Sequence, residues 1–400
     1  SRCQREGRGF DPLCPLQKWM IKICVEGWRG INHSYAMVNQ RQLIELSKYP
    51  IELKHKDISF FNKNWNEKQN SNGFSIEDNN LINGIKIPEK DEIFDITYRI
   101  TFPYNFEQTS SKKLFIFGTS EYQNIDGHYI NGDPKKENKR ENFFIITSSN
   151  WSKVGFIKAG FEPSKVKVVP CGVESNIFKI IDDDRKKQIR EKLGIKKEDF
   201  VISNIGAMTE NKGIDYLLAA FAIIRKKKKN IKMILKDQSN LYNVKAENYL
   251  KKLKDTKYGP LINEDVINNI FFISKNIDLS TLNELYNITD CYVSPYRAEG
   301  FNLTPLEAAA SGTPIIVTKG GSTDDYFNPK FGLQIDSKVI NDGNFTSLRP
   351  NIESIVECIL LIMKNPEDYG GLEVSKFIKK NFTWYCSVKK LYNILVNKNV

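Results

Sequence analysis

Two carboxylates, Glu299 and Glu307, bracket a turn in the stretch EGFNLTPLEAAASGTPIIVT, which runs from Glu299 to Thr318. Just upstream, Cys291 to Tyr296 (CYVSPY) has the β-branched and aromatic character of a buried strand. Thr304-Pro305-Leu306-Glu307 reads as a helix start, with Thr304 as the cap, Pro305 at the first helical position and Glu307 closing a capping box. Ala308, Ala309 and Ala310 let that helix pack closely, Ser311-Gly312 ends it, and Pro314 to Thr318 reads as the next buried strand. Strand, short helix, strand is one step of a parallel α/β sheet. The backbone N–H groups of Phe301, Asn302 and Leu303 then lie at a helix N-terminus, which is a ready anion site. A ligand carrying phosphates and hydroxyls can meet those amides and both carboxylates at once. The alternative is that Glu307 only caps its helix and Glu299 is a solvated loop acid. The helix-start pattern alone leaves both readings open.

The same stretch resembles the E-x7-E signature of retaining nucleotide-sugar glycosyltransferases with the GT-B fold, the large group-one (family four) class. The likeness includes the Gly300-Phe301 pair after the first Glu, Pro305-Leu306-Glu307-Ala308, and Gly312-Thr313-Pro314. It implies that Glu299 faces the donor sugar and that Glu307 holds the ribose. It also implies that the backbone from Gly300 through Phe301, Asn302 and Leu303 binds the donor's sugar and diphosphate. The implied architecture is α/β: two Rossmann-like domains facing across a cleft, with a C-terminal helix returning to the first domain.

Composition sets the bounds. A chain of 400 residues with 40% hydrophobic content suffices for two α/β domains. No run of apolar residues is long enough to span a membrane. The seven cysteines are scattered without a CxxC pair, which argues against a disulfide framework or zinc cluster and for a reducing compartment. The three histidines cannot supply a His-rich metal site. The net charge of +11 comes from lysines spread along a chain also rich in Asn and Ile. A basic balance can mean nucleic acid, anionic lipid or a phosphorylated substrate. No basic stretch alternates with aromatics, so nucleic acid is not expected as a partner.

The elements that must position these groups follow in order. Residues 1–19 have no apolar run or amphipathic period and read as an extension without a role in the fold. Ile21 to Val25 is a strand, Glu26 to Gly30 a glycine-punctuated turn, and Asn32 to Leu46 a helix, the opening of a nucleotide-binding-like unit without GxGxxG. In the resembled family this first loop lies across the interdomain cleft near the acceptor, which makes Gly27, Arg29, Gly30, Asn32, His33 and Ser34 acceptor or cleft candidates. Residues 61–90 read as a polar surface excursion with a short strand. Strands at Phe94 to Ile100 and Lys113 to Phe117 lead into loops that face a ligand crevice, giving weight to Arg99, Thr119, Ser120 and Glu121. His128 reads as a surface residue. Pro170-Cys171-Gly172-Val173-Glu174 resembles the family's hinge-side motif, so the first domain is placed at 20–180, the second at 181–372, and the returning helix at 373–400.

In the second domain, strand Phe200 to Ile205 runs into Gly206-Ala207-Met208-Thr209-Glu210-Asn211-Lys212-Gly213. This resembles the family's Gly-Arg…Lys-Gly segment, whose two cations clamp the donor diphosphate. Gly206 and Lys212 match, but the Arg position is Ala207; Arg29 or Arg297 are the cations that could substitute. Lys236 to Asn240 replaces a turn that is commonly glycine-rich. The loop Ser274 to Ile277 lies where the family often seats the nucleobase. A metal-independent hexosyltransferase-like enzyme is therefore expected, with Glu299 and Lys212 at the reacting centre and no resident cofactor. Its co-substrate would be a UDP- or GDP-type nucleotide sugar. A glycan or lipid-linked hydroxyl would be its acceptor, and its location would be cytoplasmic, with peripheral membrane contact through the basic surface. A non-catalytic nucleotide- or glycan-binding module, or a phosphorylase or epimerase of the same fold, is the alternative.

Overall fold

The computed structural model describes residues 20–125 and 130–397. The N-terminal extension and His128 lie outside the described residues. Two six-stranded sheets, parallel throughout, carry the fold. The first consists of β1 (Ile21–Gly27), β2 (Ile51–Asp57), β3 (Ile96–Ile100), β4 (Lys113–Phe117), β5 (Phe143–Thr147) and β6 (Val166–Val168), in the order β2-β1-β3-β4-β5-β6. The second consists of β7 (Phe200–Ile205), β8 (Ile231–Lys236), β9 (Ile270–Ile273), β10 (Cys291–Ser294), β11 (Ile315–Thr318) and β12 (Gly332–Ile335), in the order β9-β8-β7-β10-β11-β12.

Helices cover both faces of such sheets, so the inner strands need no polar alternation. FFIIT in β5 and CYVS in β10 are buried at every position. In each sheet the strand order reverses once, between β1 and β3 and between β7 and β10. Ligand crevices open at such reversals, outside the strand C-termini. The loops there are those after Gly27 and Ile100 in one sheet, and those after Ile205 and Ser294 in the other.

The final helix, Trp384–Val396, leaves the second sheet and packs on the helix Ser34–Leu46 of the first. Tyr392 stacks on Tyr49 with ring centroids 4.2 Å apart, and Trp384, Val388, Leu391 and Leu395 are buried. Gly172 leaves room for the entry to this helix, since a Cβ there would lie 2.3 Å from the Trp384 nitrogen.

One segment differs from the sequence expectations, and two more elements complete the fold. Residues 61–90 form the helix Ile76–Gly84, and their aromatic anchors Trp65 and Phe74 are buried. This excursion is a bridge: Trp65 Nε1 donates to the Leu241 carbonyl at 2.8 Å, and Leu279 N to the Gly73 carbonyl at 3.2 Å. A short helix, Asn248–Lys254, buries Tyr249, Leu250 and Leu253. An antiparallel hairpin, Ser337–Asp342 with Phe345–Pro350, follows β12.

Candidate active site

Glu299 lies in the loop after β10 and is buried; its Oε1 forms an ion pair with Lys212 Nζ from the loop after β7. The first domain brings a third charge to this pair. Glu121, in the loop after β4, accepts from Asn211 Nδ2 at 3.1 Å. Asn211 also donates to the Ala298 carbonyl at 3.0 Å, tying the loops together. Glu121 touches solvent in the cleft, yet the protein around it pushes its carboxyl up to about 7. Burial is the larger cause and the Glu299 charge the next, against the pull of Lys212. Lys212 is shifted the other way: burial lowers it, but Glu299 and Glu121 outweigh burial and hold it above the usual lysine range.

Gly300 is where the domains meet. The hydroxyls of Ser148 and Ser149 donate to its carbonyl at 3.0 and 2.6 Å, and a Cβ on it would lie 2.6 Å from Thr119 Cβ. Asn302 adopts φ 67°, a left-handed conformation that asparagine tolerates better than most residues. Its side chain donates to Ser294 Oγ at 2.9 Å, and its carbonyl accepts from Tyr326 OH at 2.7 Å. Phe301 packs against the Tyr326 ring.

The helix begins at Leu303, not after Thr304, and runs to Ala310 with no side-chain cap. The expected capping box does not form. Thr304 Oγ1 accepts from Tyr292 OH at 2.7 Å, and Glu307 Oε2 accepts from the buried Tyr286 OH at 2.9 Å. The amides of Phe301, Asn302 and Leu303 donate to no acceptor among the described residues. Burial pushes the Glu307 carboxyl up to about 7, against the Tyr286 hydrogen bond and the Arg41 charge. Free amides and a carboxylate without a capping task are the arrangement a phosphate- and hydroxyl-bearing ligand requires.

The first-domain candidates divide. Gly27 ends β1, and a Cβ on it would meet Asn39 Nδ2 at 2.8 Å, a packing constraint. Arg29 and Gly30 line a polar cavity of about 310 Å³ with Gln40, Asp57, Asn72 and Asn79 among its walls. His33 caps its helix, its Nδ1 accepting from Tyr35 N at 3.2 Å. Its ring sits against Trp28, Trp65 and the second domain's Tyr242, and burial lowers it to about 4, so it is neutral. Asn32 N donates to the Asn70 carbonyl at 2.7 Å at the edge of a second, smaller cavity. Ser34 is exposed at the helix start and joins neither cavity.

Ala207 is buried and places no cation in the cleft. The two arginines expected as substitutes are already engaged. Arg29 holds Asp57 through Nε at 2.8 Å and Nη2 at 2.5 Å. Arg297 holds Asp215 at 2.6 and 2.9 Å and the Glu210 carbonyl at 2.7 Å. Bidentate pairs of this kind leave little charge for a ligand.

The family described as "Glycosyl transferases group 1" matches residues 185–374, the segment that supplies Lys212, Glu299 and Glu307. This part of the chain belongs to the group 1 glycosyltransferases. Mannosylfructose-phosphate synthase of Agrobacterium fabrum is 25% identical over 162 residues, 40% of this chain and 34% of that protein. Alpha-monoglucosyldiacylglycerol synthase of Acholeplasma laidlawii is 26% identical over 238 residues, 58% of this chain and 53% of that protein. The matches thus span a third to a half of these relatives. A glycosyltransferase from Rickettsia africae superposes with a TM-score of 0.67 at 14% identity, covering 95% of this chain and 100% of that one. Anabaena HepE, solved with UDP and glucose, superposes with a TM-score of 0.62 at 14% identity, covering 94% and 99%. The fold is GT-B, two Rossmann-like domains with the cleft between them.

Sequence reasoning missed Tyr286, whose stretch has an apolar pattern that reads as packing, and it placed Lys236 only in a turn that replaces a commonly glycine-rich one.

Proposed function

We propose that the chain is a retaining, metal-independent glycosyltransferase that moves a sugar from a nucleotide-diphosphate sugar to a hydroxyl acceptor. The observation that carries this reading is the buried Glu299–Lys212 pair beside the unengaged amides of Phe301 to Leu303, at the strand reversal of the second sheet. Those amides and Lys212 stabilise the charge that grows on the diphosphate as the sugar–phosphate bond breaks. Glu299 orients sugar hydroxyls at the reacting carbon, and Glu307 holds the ribose. The acceptor oxygen bonds to that carbon on the face the diphosphate leaves, and its hydroxyl proton passes to the departing diphosphate oxygen.

The 310 Å³ cavity beside Arg29 and Gly30 supports a hydroxyl-rich acceptor, a glycan or the headgroup of a lipid-linked one. Its amides and carboxylates match vicinal hydroxyls, whereas its one arginine is spent on Asp57. HepE, solved with UDP and glucose, supports a UDP-type donor, with a GDP type as the other choice. Among the described residues no helix is long and apolar enough to cross a membrane. The free thiols of Cys24, Cys171 and Cys291 suit a cytoplasmic setting, with membrane contact through the basic surface.

Glu299→Ala should abolish transfer while nucleotide binding survives; turnover near that of the wild type would remove Glu299 from the mechanism. The missing cation at Ala207 favours a second reading, a module that binds nucleotide or glycan without turnover. Turnover of any donor in an acceptor screen rules it out. Phosphate-dependent glycan cleavage, or consumption of donor without acceptor, would instead reveal a phosphorylase or an epimerase.

A further inference from the structure

Lys236 is the last residue of β8 and is 4% exposed. A buried ammonium is normally matched by a carboxylate, but among the described residues none lies within 4 Å of Lys236 Nζ. Its one hydrogen bond goes to the carbonyl of its neighbour Asp237, at 2.5 Å. The Asp237 carboxylate is occupied elsewhere: it accepts from Ser239 N at 3.1 Å, Ala246 N at 3.2 Å and Ser274 Oγ at 2.9 Å. An ammonium carries three donors, so two of Lys236's are unassigned. Burial lowers its pKa, and the charge of the neighbouring Asp237 offsets this only in part.

The side chain lines the smaller cavity, which lies between the domains and holds about 10 Å³, room for a water at most. The other walls are neutral: Asn32 and Asn70 from the first domain, and Gln238, Asn240, Ser274 and Asn276 from the second. The backbone of Lys236 also meets the start of the loop that carries Lys212. The Lys236 carbonyl accepts from Gly206 N at 3.1 Å, and a Cβ on Gly206 would lie 3.9 Å from Lys212 Nζ. Gly206 therefore lies between the backbone of Lys236 and the ammonium of Lys212. Lys212 already pairs with Glu299; Lys236 has only the Asp237 charge nearby, and no carboxylate within 4 Å among the described residues.

We infer that Lys236 is the second cation of the nucleotide site, and that it contacts the diphosphate of a nucleoside diphosphate when the domains part to admit it. This rests on the nucleotide-sugar reading above. It explains how the chain works with Ala207 where a cation is absent, and why Arg29 and Arg297 can remain in structural ion pairs.

The test is calorimetric titration of the full chain with UDP, GDP and ADP and with uridine, guanosine and adenosine. Wild type, Lys236→Met, Lys236→Arg and Lys212→Met are compared. Lys236→Met keeps the stem and removes the charge, so a folded variant is expected, and its thermal unfolding curve checks this. For the diphosphate that binds the wild type, Lys236→Met should weaken binding roughly ten- to a hundredfold. Its nucleoside should bind as before, and Lys236→Arg should recover most of the loss. Diphosphate binding unchanged in Lys236→Met, but weakened in Lys212→Met, would overturn the inference and leave the donor reading standing. Equal losses for diphosphate and nucleoside would make Lys236 a packing residue and also overturn it. Failure of the wild type to bind any of the three diphosphates would overturn the donor reading and this inference with it.

Discussion

Glu307 holds a proton near neutral pH because it is surrounded by protein, and Tyr286 supplies only one hydrogen bond against that burial. Its carboxyl stands at about 7, against 4.5 for an unperturbed Glu. In that window the folded chain binds a proton that the unfolded chain has released, so stability falls as pH rises through it. Glu307→Gln removes this slope. The variant should gain on the wild type by of order 1–3 kcal/mol between about pH 5 and about pH 8, read from urea unfolding at the two values; parallel pH dependences would contradict the assignment. This residue also shows what sequence can deliver. Glu299, Gly300 and Glu307 were legible because their chemistry lies within one short motif. The commitment of Arg297 was not, since its partner Asp215 lies 82 positions away on another element. Lys236 was hidden for a related reason: a lysine closing an apolar strand reads as a solvated end until the sheet and the facing domain enclose it.

At the scale of elements, the loops after β4, β5 and β10 converge on Gly300, where nothing larger than hydrogen fits. Gly300→Ala drives a methyl into Thr119, an overpacking that costs about 1–3 kcal/mol or is relieved by parting the domains. A fall in kcat/KM of at least about tenfold is expected, with Gly84→Ala, where a Cβ meets nothing within 4 Å, as the control. Equal activity of the two variants would show that the contact does not align the site. The inner elements were plain in the sequence: Lys113–Phe117 and Phe200–Ile205 lie where their patterns place them. Strand β2 was not. IELKHKD is an edge strand, only partly buried, and its charges mask the alternation. The bridge at 61–90 was missed because it has few apolar residues, and Trp65 and Phe74 acquire their meaning only against the second domain and the helix Ser34–Leu46.

For the whole molecule, the C-terminal helix is the strap that holds the second domain's chain to the first. Leu391 is fully buried in that contact, so Leu391→Ala should cost about 2–5 kcal/mol. Chemical unfolding measures this, and a loss below about 0.5 kcal/mol would mean that the helix is not docked in solution. The domains are closed on one another, with hydrogen bonds from Trp65 to Leu241, from Asn276 to Ser71, and from the Ser148 and Ser149 hydroxyls to Gly300. On the proposed donor reading, a cavity of about 10 Å³ beside Lys236 cannot hold a nucleotide, so binding there would begin with opening of the domains. The most direct check of the donor site as a whole is a thermal-shift panel of UDP, GDP and ADP with their common sugar conjugates. A ligand at a hundredfold its dissociation constant adds about 2.7 kcal/mol of stability. One nucleotide and its sugar conjugate should raise the unfolding temperature together, while the other bases leave it unchanged. No shift with any of them would contradict the assignment of the Glu299–Glu307 region as a nucleotide-sugar site.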